Sequence, residues 1–180
     1  MSSILFFRMY GLFLVLPVFS ALAMGLDQAT PLLVGLAFGA YGVTQGILQV
    51  PFGMLSDRIG RKPVIMGGLL IFVLGRVMAA VTDSVYWMIA ARFLQGAGAV
   101  SSAIFALIAD LTRPEVRTRA NAFLGGSIGI SFGIAILSAP FLSQAIGLDG
   151  LFWLISAITI VSIGILLKGV PEVEPSSKLV

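Results

Sequence analysis

The chain contains no cysteine and no histidine. Those absences exclude disulfides, thiolate and imidazole metal sites, haem attachment through cysteine, and any Cys or His nucleophile. They also remove histidine as a general base, which counts against most enzymes. Charge is scarce too: 11% of the 180 residues are charged, against roughly 25% in an ordinary soluble domain. The eight acidic residues are scattered along the chain, so neither a metal nor any other cofactor is expected. What dominates instead is apolar side chain, 58% of the sequence. A water-soluble fold of this size has too much surface to hide that much hydrocarbon, so the bilayer is the expected solvent and lipid the expected partner. The net charge of +3 is modest, and no nucleic-acid partner is expected.

A helix crossing the hydrocarbon core needs about 20 mostly apolar residues. Six stretches meet that need, over about 2–24, 34–55, 63–81, 85–109, 120–142 and 150–168. The connections between them sort by sign. The connection after the second stretch holds Arg58, Arg61 and Lys62, and the one after the fourth holds Arg113, Arg117 and Arg119. Lys168 and Lys178 follow the sixth. The other three connections hold Asp27, Asp83 and Asp149, and neither Lys nor Arg. Positive connections stay on the cytoplasmic side, so both termini are expected inside. The alternation runs unbroken through six crossings, which supports their number: an all-α, multi-pass membrane protein.

Ala21-Leu22-Ala23 closes an apolar N-terminal run in the manner of a signal-peptide cleavage site. No Lys or Arg precedes the run and Arg8 interrupts it, so it reads as a retained helix. Residues 169–180, GVPEVEPSSKLV, are rich in proline, glutamate and serine and read as a cytoplasmic linker cut short. Pro51-Phe52 precedes Ser56-Asp57-Arg58-Ile59-Gly60, and Pro140-Phe141 precedes Ser143-Gln144-Ala145-Ile146-Gly147. This short echo, on opposite sides of the membrane, fits two inverted three-helix repeats.

The densest pattern is Gly53-Met54-Leu55-Ser56-Asp57-Arg58-Ile59-Gly60-Arg61-Lys62-Pro63. It gathers three cations and one carboxylate at a tight turn, where Gly60 permits a backbone closed to other residues. A plain positively charged connection accounts for the cations, but not for Gly53, Asp57 and Gly60 at these spacings. The fourth stretch contains Arg92-Phe93-Leu94-Gln95-Gly96-Ala97-Gly98-Ala99. Gly96 and Gly98 permit close helix approach. Arg92 either faces a polar cavity or partner, or snorkels to the nearer interface; its cost and context favour the cavity. Arg76 belongs to no such pattern and is expected to snorkel outward or pair with Asp83.

The first pattern resembles the signature G-x-L-x-D-R-x-G-R-[KR] of the major facilitator superfamily, with every fixed position matched. The second resembles that family's R-x-x-Q-G-x-G-x helix motif. Gly11 followed after five residues by Pro17-Val18 is similar to the first-helix signature of drug antiporters, with Tyr10 and Ser20 as departures. Gly126, Ala135, Ala139 and Pro140 occupy the places of the fifth-helix antiporter signature, with alanine for two glycines. Most of the chain is similar to the N-terminal half of YajR-type bacterial members. The resemblance implies one six-helix half of a twelve-helix fold in a bacterial inner membrane. It also implies a conformational lock: Asp57 facing a helix N-terminus of the other half, and Arg61 paired with Asp110.

By the same resemblance the chain is half of a secondary transporter working by alternating access, and drug-like small organic compounds are its expected efflux substrates. Arg8, Gln45, Gln49, Arg92 and Gln95 are candidate cavity-lining residues, each equally suited to bonding between helices. No acid lies in mid-membrane, so this half offers no obvious proton carrier. The partner is a missing C-terminal half or, as an alternative, a second copy in a homodimer; a non-functional fragment is the other alternative. An intramembrane enzyme is disfavoured, because no carboxylate pair falls at helix centres.

Overall fold

A computed structural model describes residues 2–98 and 100–169. Ala99 and the expected linker residues 170–180 lie outside the described residues. The order of elements is α1 Ser2–Ala23, α2 Pro31–Ile59, α3 Arg61–Ala80, α4 Val85–Ala97, α5 Ser101–Leu111, a 3-10 turn Pro114–Val116, and α6 Arg117–Gly169.

These helices make six crossings. Helix α4 ends at Ala97 and α5 starts at Ser101, yet together they form one apolar span, Val85–Leu111, of 27 residues. Helix α6 has 53 residues, far more than the ~20 that span a bilayer. It breaks at Gly147, whose φ of 67° and ψ of −171° are open essentially to glycine alone. The chain doubles back there. Leu124 before the break and Leu166 after it share one buried cluster, and Ala139 and Leu148 share another. The fifth and sixth crossings are therefore the arms 117–146 and 148–169.

Helix α2 starts at Pro31 rather than near 34, because Thr30 caps it: its Oγ1 accepts from the Leu33 N–H at 3.2 Å, and proline suits the first turn. It also runs to Ile59, beyond the expected end near 55. Charged residues stop a hydrophobic run, but they do not stop a helix that emerges from hydrocarbon. Only Gly60 separates α2 from α3, at φ 104° and ψ 150°.

The core lies in two layers. One gathers Phe19, Ala37, Phe72, Met88 and Phe152; the other, toward the α2–α3 turn, gathers Ile4, Leu5, Leu69, Ile104 and Leu166. Outward faces stay apolar, with Leu32, Leu36, Val43, Ile47, Trp153, Ile160 and Val161 all exposed. That suits lipid, where backbone groups are satisfied inside helices and side chains need no water. Glycines set the closest crossings. A Cβ on Gly96 would lie 2.5 Å from the Tyr41 carbonyl oxygen of α2, and one on Gly98 would lie 2.5 Å from the Gly68 carbonyl oxygen of α3. At the opposite end from the α2–α3 turn, the Asp27 N–H donates to the Asp83 carbonyl at 2.7 Å, and the Val85 N–H donates to the Asp27 carbonyl at 3.2 Å.

Candidate functional site

The α2–α3 turn brings most of its patterned residues onto one side chain, Arg61. Because α2 continues through Arg58, Asp57 stands one helical turn before Arg61 and forms an ion pair with its Nη1. The same nitrogen donates to Ser56 Oγ at 2.7 Å, and Ser56 in turn donates to the Gly53 carbonyl at 2.7 Å. Arg61 Nε donates to Asp110 Oδ2 at 2.9 Å, 49 residues away at the end of α5. One planar guanidinium thus joins α2, α3 and α5. A lysine, with a single nitrogen, cannot reproduce that fork. Gly53 lies where α2 meets the start of α5, with Ser102 Oγ 3.4 Å from the place a Cβ would take. Lys62 reaches the other way and donates to the Leu167 carbonyl at 3.3 Å. Arg58 is exposed beside the cluster. Asp57 remains 54% exposed, with room for a further partner.

The fourth-crossing residues form a second assembly inside the bundle. Arg92 is buried, with its guanidinium carbon 4.3 Å from the Phe19 ring centroid and 5.4 Å from that of Tyr41. Its Nη1 donates to Gln95 Oε1 at 3.2 Å, and Gln95 Nε2 donates to the Gly75 carbonyl of α3 at 3.0 Å. Arg8 is buried as well. It donates to Ser101 Oγ and, at 3.0 Å, to the Gly98 carbonyl, so it touches the start of α5 and the residue that follows α4. Gln45 and Gln49 are half-buried on α2. Ser102 Oγ donates to the Gln49 backbone carbonyl at 2.8 Å, while Gln45 Oε1 is buried with no partner.

Gly11 sits against α6, where a Cβ would lie 2.4 Å from Ile155 Cγ2. Ala135 and Ala139 are fully buried against α1. Pro17 and Pro140 lie inside helices with exposed rings. Gly126 faces outward, and a Cβ there would meet nothing in the chain.

Arg76 corrects the sequence reading. It neither snorkels outward nor pairs with Asp83; it is 0% exposed and donates to the Gly11 carbonyl at 3.1 Å. Its guanidinium carbon lies 4.7 Å from the Phe72 centroid and 5.4 Å from that of Phe152. A signal was present in the pattern. Leu69, Phe72 and Ala79 mark the buried stripe of α3, and Arg76 falls on it, four residues after Phe72 and three before Ala79. Ser56, an unfixed position of the turn motif, takes part as well, accepting from Arg61 and donating to the Gly53 carbonyl.

The family model for the Major Facilitator Superfamily matches residues 1–179. The chain is 48% identical over 165 residues to the inner membrane transport protein YajR of Escherichia coli strain K12, covering 92% of this chain and 36% of that protein. It is 37% identical over 111 residues to multidrug resistance protein D of the same organism, covering 61% of this chain and 26% of that one. The solved structure of PepTSo, a POT family transporter, superposes with a TM-score of 0.84 at 16% identity, over 97% of this chain and 38% of that one. The chain spans well under half the length of the curated relatives it matches.

Proposed function

Because the chain belongs to the major facilitator superfamily, we propose that it is the first six-crossing half of a secondary transporter that exports small organic compounds by alternating access. The observation that carries this reading is the Arg61 cluster. It ties α2, α3 and α5 at one end through contacts that are partly in water, and it leaves Asp57 more than half exposed. A latch between two rocking halves needs such a carboxylate, able to meet the N-terminus of a facing helix and to leave it again.

Two glycine-rich faces are ready for the other half. Gly35, Gly39, Gly42 and Gly46 on α2, and Gly125, Gly126, Gly129 and Gly133 on α6, meet nothing within 4 Å. Beside the first, an apolar groove of about 470 Å³ lies between α2 and α4, lined by Gly35, Gly39, Val43, Ile89 and Phe93. The basic turn after α2 favours a cytoplasmic placement of that end and of both termini. An inner membrane location follows the naming of the Escherichia coli relative, and efflux follows the likeness to a multidrug resistance protein.

The test is dye export from cells expressing the full-length protein, compared with its Asp57→Asn variant at matched membrane levels. The expected result is energy-dependent export that falls about tenfold in the variant, the loss of roughly one charged contact. Equal dye retention in expressing and non-expressing cells would sink the efflux reading.

A further inference from the structure

Arg8 on α1, Arg76 on α3 and Arg92 on α4 are buried inside the bundle, with exposures of 3%, 0% and 1%. No described carboxylate forms an ion pair with any of them; Asp27, Asp83 and Asp149 lie at one end of the bundle, and Asp57, Asp110 and Glu115 at the other. The three are linked. The Phe72 ring has Arg8 at 5.8 Å and Arg76 at 4.7 Å, and the Gln95 amide joins Arg92 to Gly75, the residue before Arg76.

Their hydrogen bonding is incomplete. Arg8 Nε, Arg76 Nε and Nη1, and Arg92 Nε are all buried without an acceptor. Like charges in a low-dielectric interior repel, and a buried intramembrane cation is costly unless it meets an anion, a dipole or a functional pathway. Aromatic faces and two backbone carbonyls offset part of that cost, but they leave those donors open. Interhelical bonding alone would account for one arginine of this kind more readily than for three linked through Phe72 and Gln95.

We propose that Arg8, Arg76 and Arg92 form a binding site for an organic anion with a carboxylate or phosphate head and an apolar body. The planar guanidinium fork fits such an oxyanion through paired N–H groups. Phe19, Tyr41, Phe72 and Phe152, which already face the guanidiniums, supply apolar walls for the body. The cluster is enclosed in this conformation. Arg8 spends its bonds on the Gly98 carbonyl and on Ser101 Oγ at the start of α5, and these are the contacts an incoming oxyanion would displace. As a substrate site it rests on the transport reading above; as a binding site it can be measured without transport.

The experiment is thermal unfolding and calorimetric titration of the purified full-length protein with benzoate and phenyl phosphate, against neutral benzamide at equal ionic strength. The expected result is a rise in unfolding temperature with at least one of the two anions and none with benzamide. Arg76→Gln and Arg92→Gln should each weaken anion binding about tenfold or more. Without anion, Arg76→Gln should unfold no earlier than the parent, because it removes a repelling buried charge. Arg76→Lys, which keeps charge without the fork, should bind more weakly than the parent and provides a readout if the glutamine variant does not fold. Which anion binds separates a carboxylate site from a phosphate site. Equal shifts with benzamide, no shift with either anion, or undiminished binding in the folded Arg76 variants would overturn the proposal. Anion binding without transport of any tested compound would overturn the transport reading alone; transport of neutral or cationic dyes without anion binding would overturn the anion site alone.

Discussion

Arginine is held in opposite ways in two regions of this molecule. At the α2–α3 turn, Arg61 meets a hydroxyl and two carboxylates, one of them 54% exposed and the other 37%. Inside the bundle, Arg8, Arg76 and Arg92 meet carbonyls, a hydroxyl, an amide and aromatic faces, but no described carboxylate. Where water can replace a lost partner, an ion pair is weak and its breaking cheap. Where water is excluded, a lost partner leaves the full desolvation cost on the group that remains. The first region can therefore open and close repeatedly, as a latch must. The second is sealed from water in this conformation, so solvent cannot take the place of a partner there.

The sharpest way to test that division is to disturb the interior packing that positions Arg92 and Gln95. Gly96→Val would drive a side chain into the α2 backbone, with its Cβ 2.5 Å from the Tyr41 carbonyl oxygen. Backbone cannot step aside as a side-chain tip can, so a cost of about 3 kcal/mol or more is expected. Size-exclusion profiles of the full-length protein in detergent should lose the monodisperse peak. Gly67→Val, where nothing lies within 4 Å, makes the same change in open space and should keep it. Equal behaviour of the two variants would mean that this crossing is not tight. A smaller effect is expected from Gln95→Leu, which keeps the volume and removes both amide bonds, to Arg92 Nη1 and to the Gly75 carbonyl. A loss of about 1–3 kcal/mol follows, read as a fall in unfolding temperature with membrane insertion intact.

The two regions also differed in how far they could be read in advance. The Arg61 turn is a local pattern of eleven residues, Gly53 to Pro63, and its spacing alone singled it out. The contact with Asp110 could not come from spacing; it came from resemblance to a family. The six crossings were legible because loop charge alternates with each one, and that signal survives even where one helix is broken and another merges two spans. The end of α4 at Ala97 was not legible. No proline marks it, and the Gly98 carbonyl there accepts from the nearby Val100 N–H and from Arg8, 90 residues earlier. Arg76 was misread for a related reason. A lone arginine near a helix end favours the interface on solvation grounds, and what overrides this preference is Phe152 and the Gly11 carbonyl, brought in by two distant helices.

The smallest effect on stability separates the two regions most cleanly, because its sign and its salt dependence are both fixed by exposure. Asp110→Asn removes one carboxylate from Arg61 while keeping its shape, and Asp57 and Ser56 remain as partners. With the Asp110 side chain 37% exposed, the pair contributes at most about 1 kcal/mol. Raising salt to about 1 M shortens the screening length to roughly 3 Å, so the stability difference between parent and variant should shrink toward zero. The Gln95→Leu deficit should not shrink, since no mobile ion reaches the residues it leaves unpartnered. Paired unfolding curves of the full-length protein at low and high salt provide the check. A salt-insensitive Asp110→Asn deficit of 2 kcal/mol or more, on the scale of a buried charge, would show that the Arg61 cluster is shielded from water, and a latch that opens in each cycle could not be built on it.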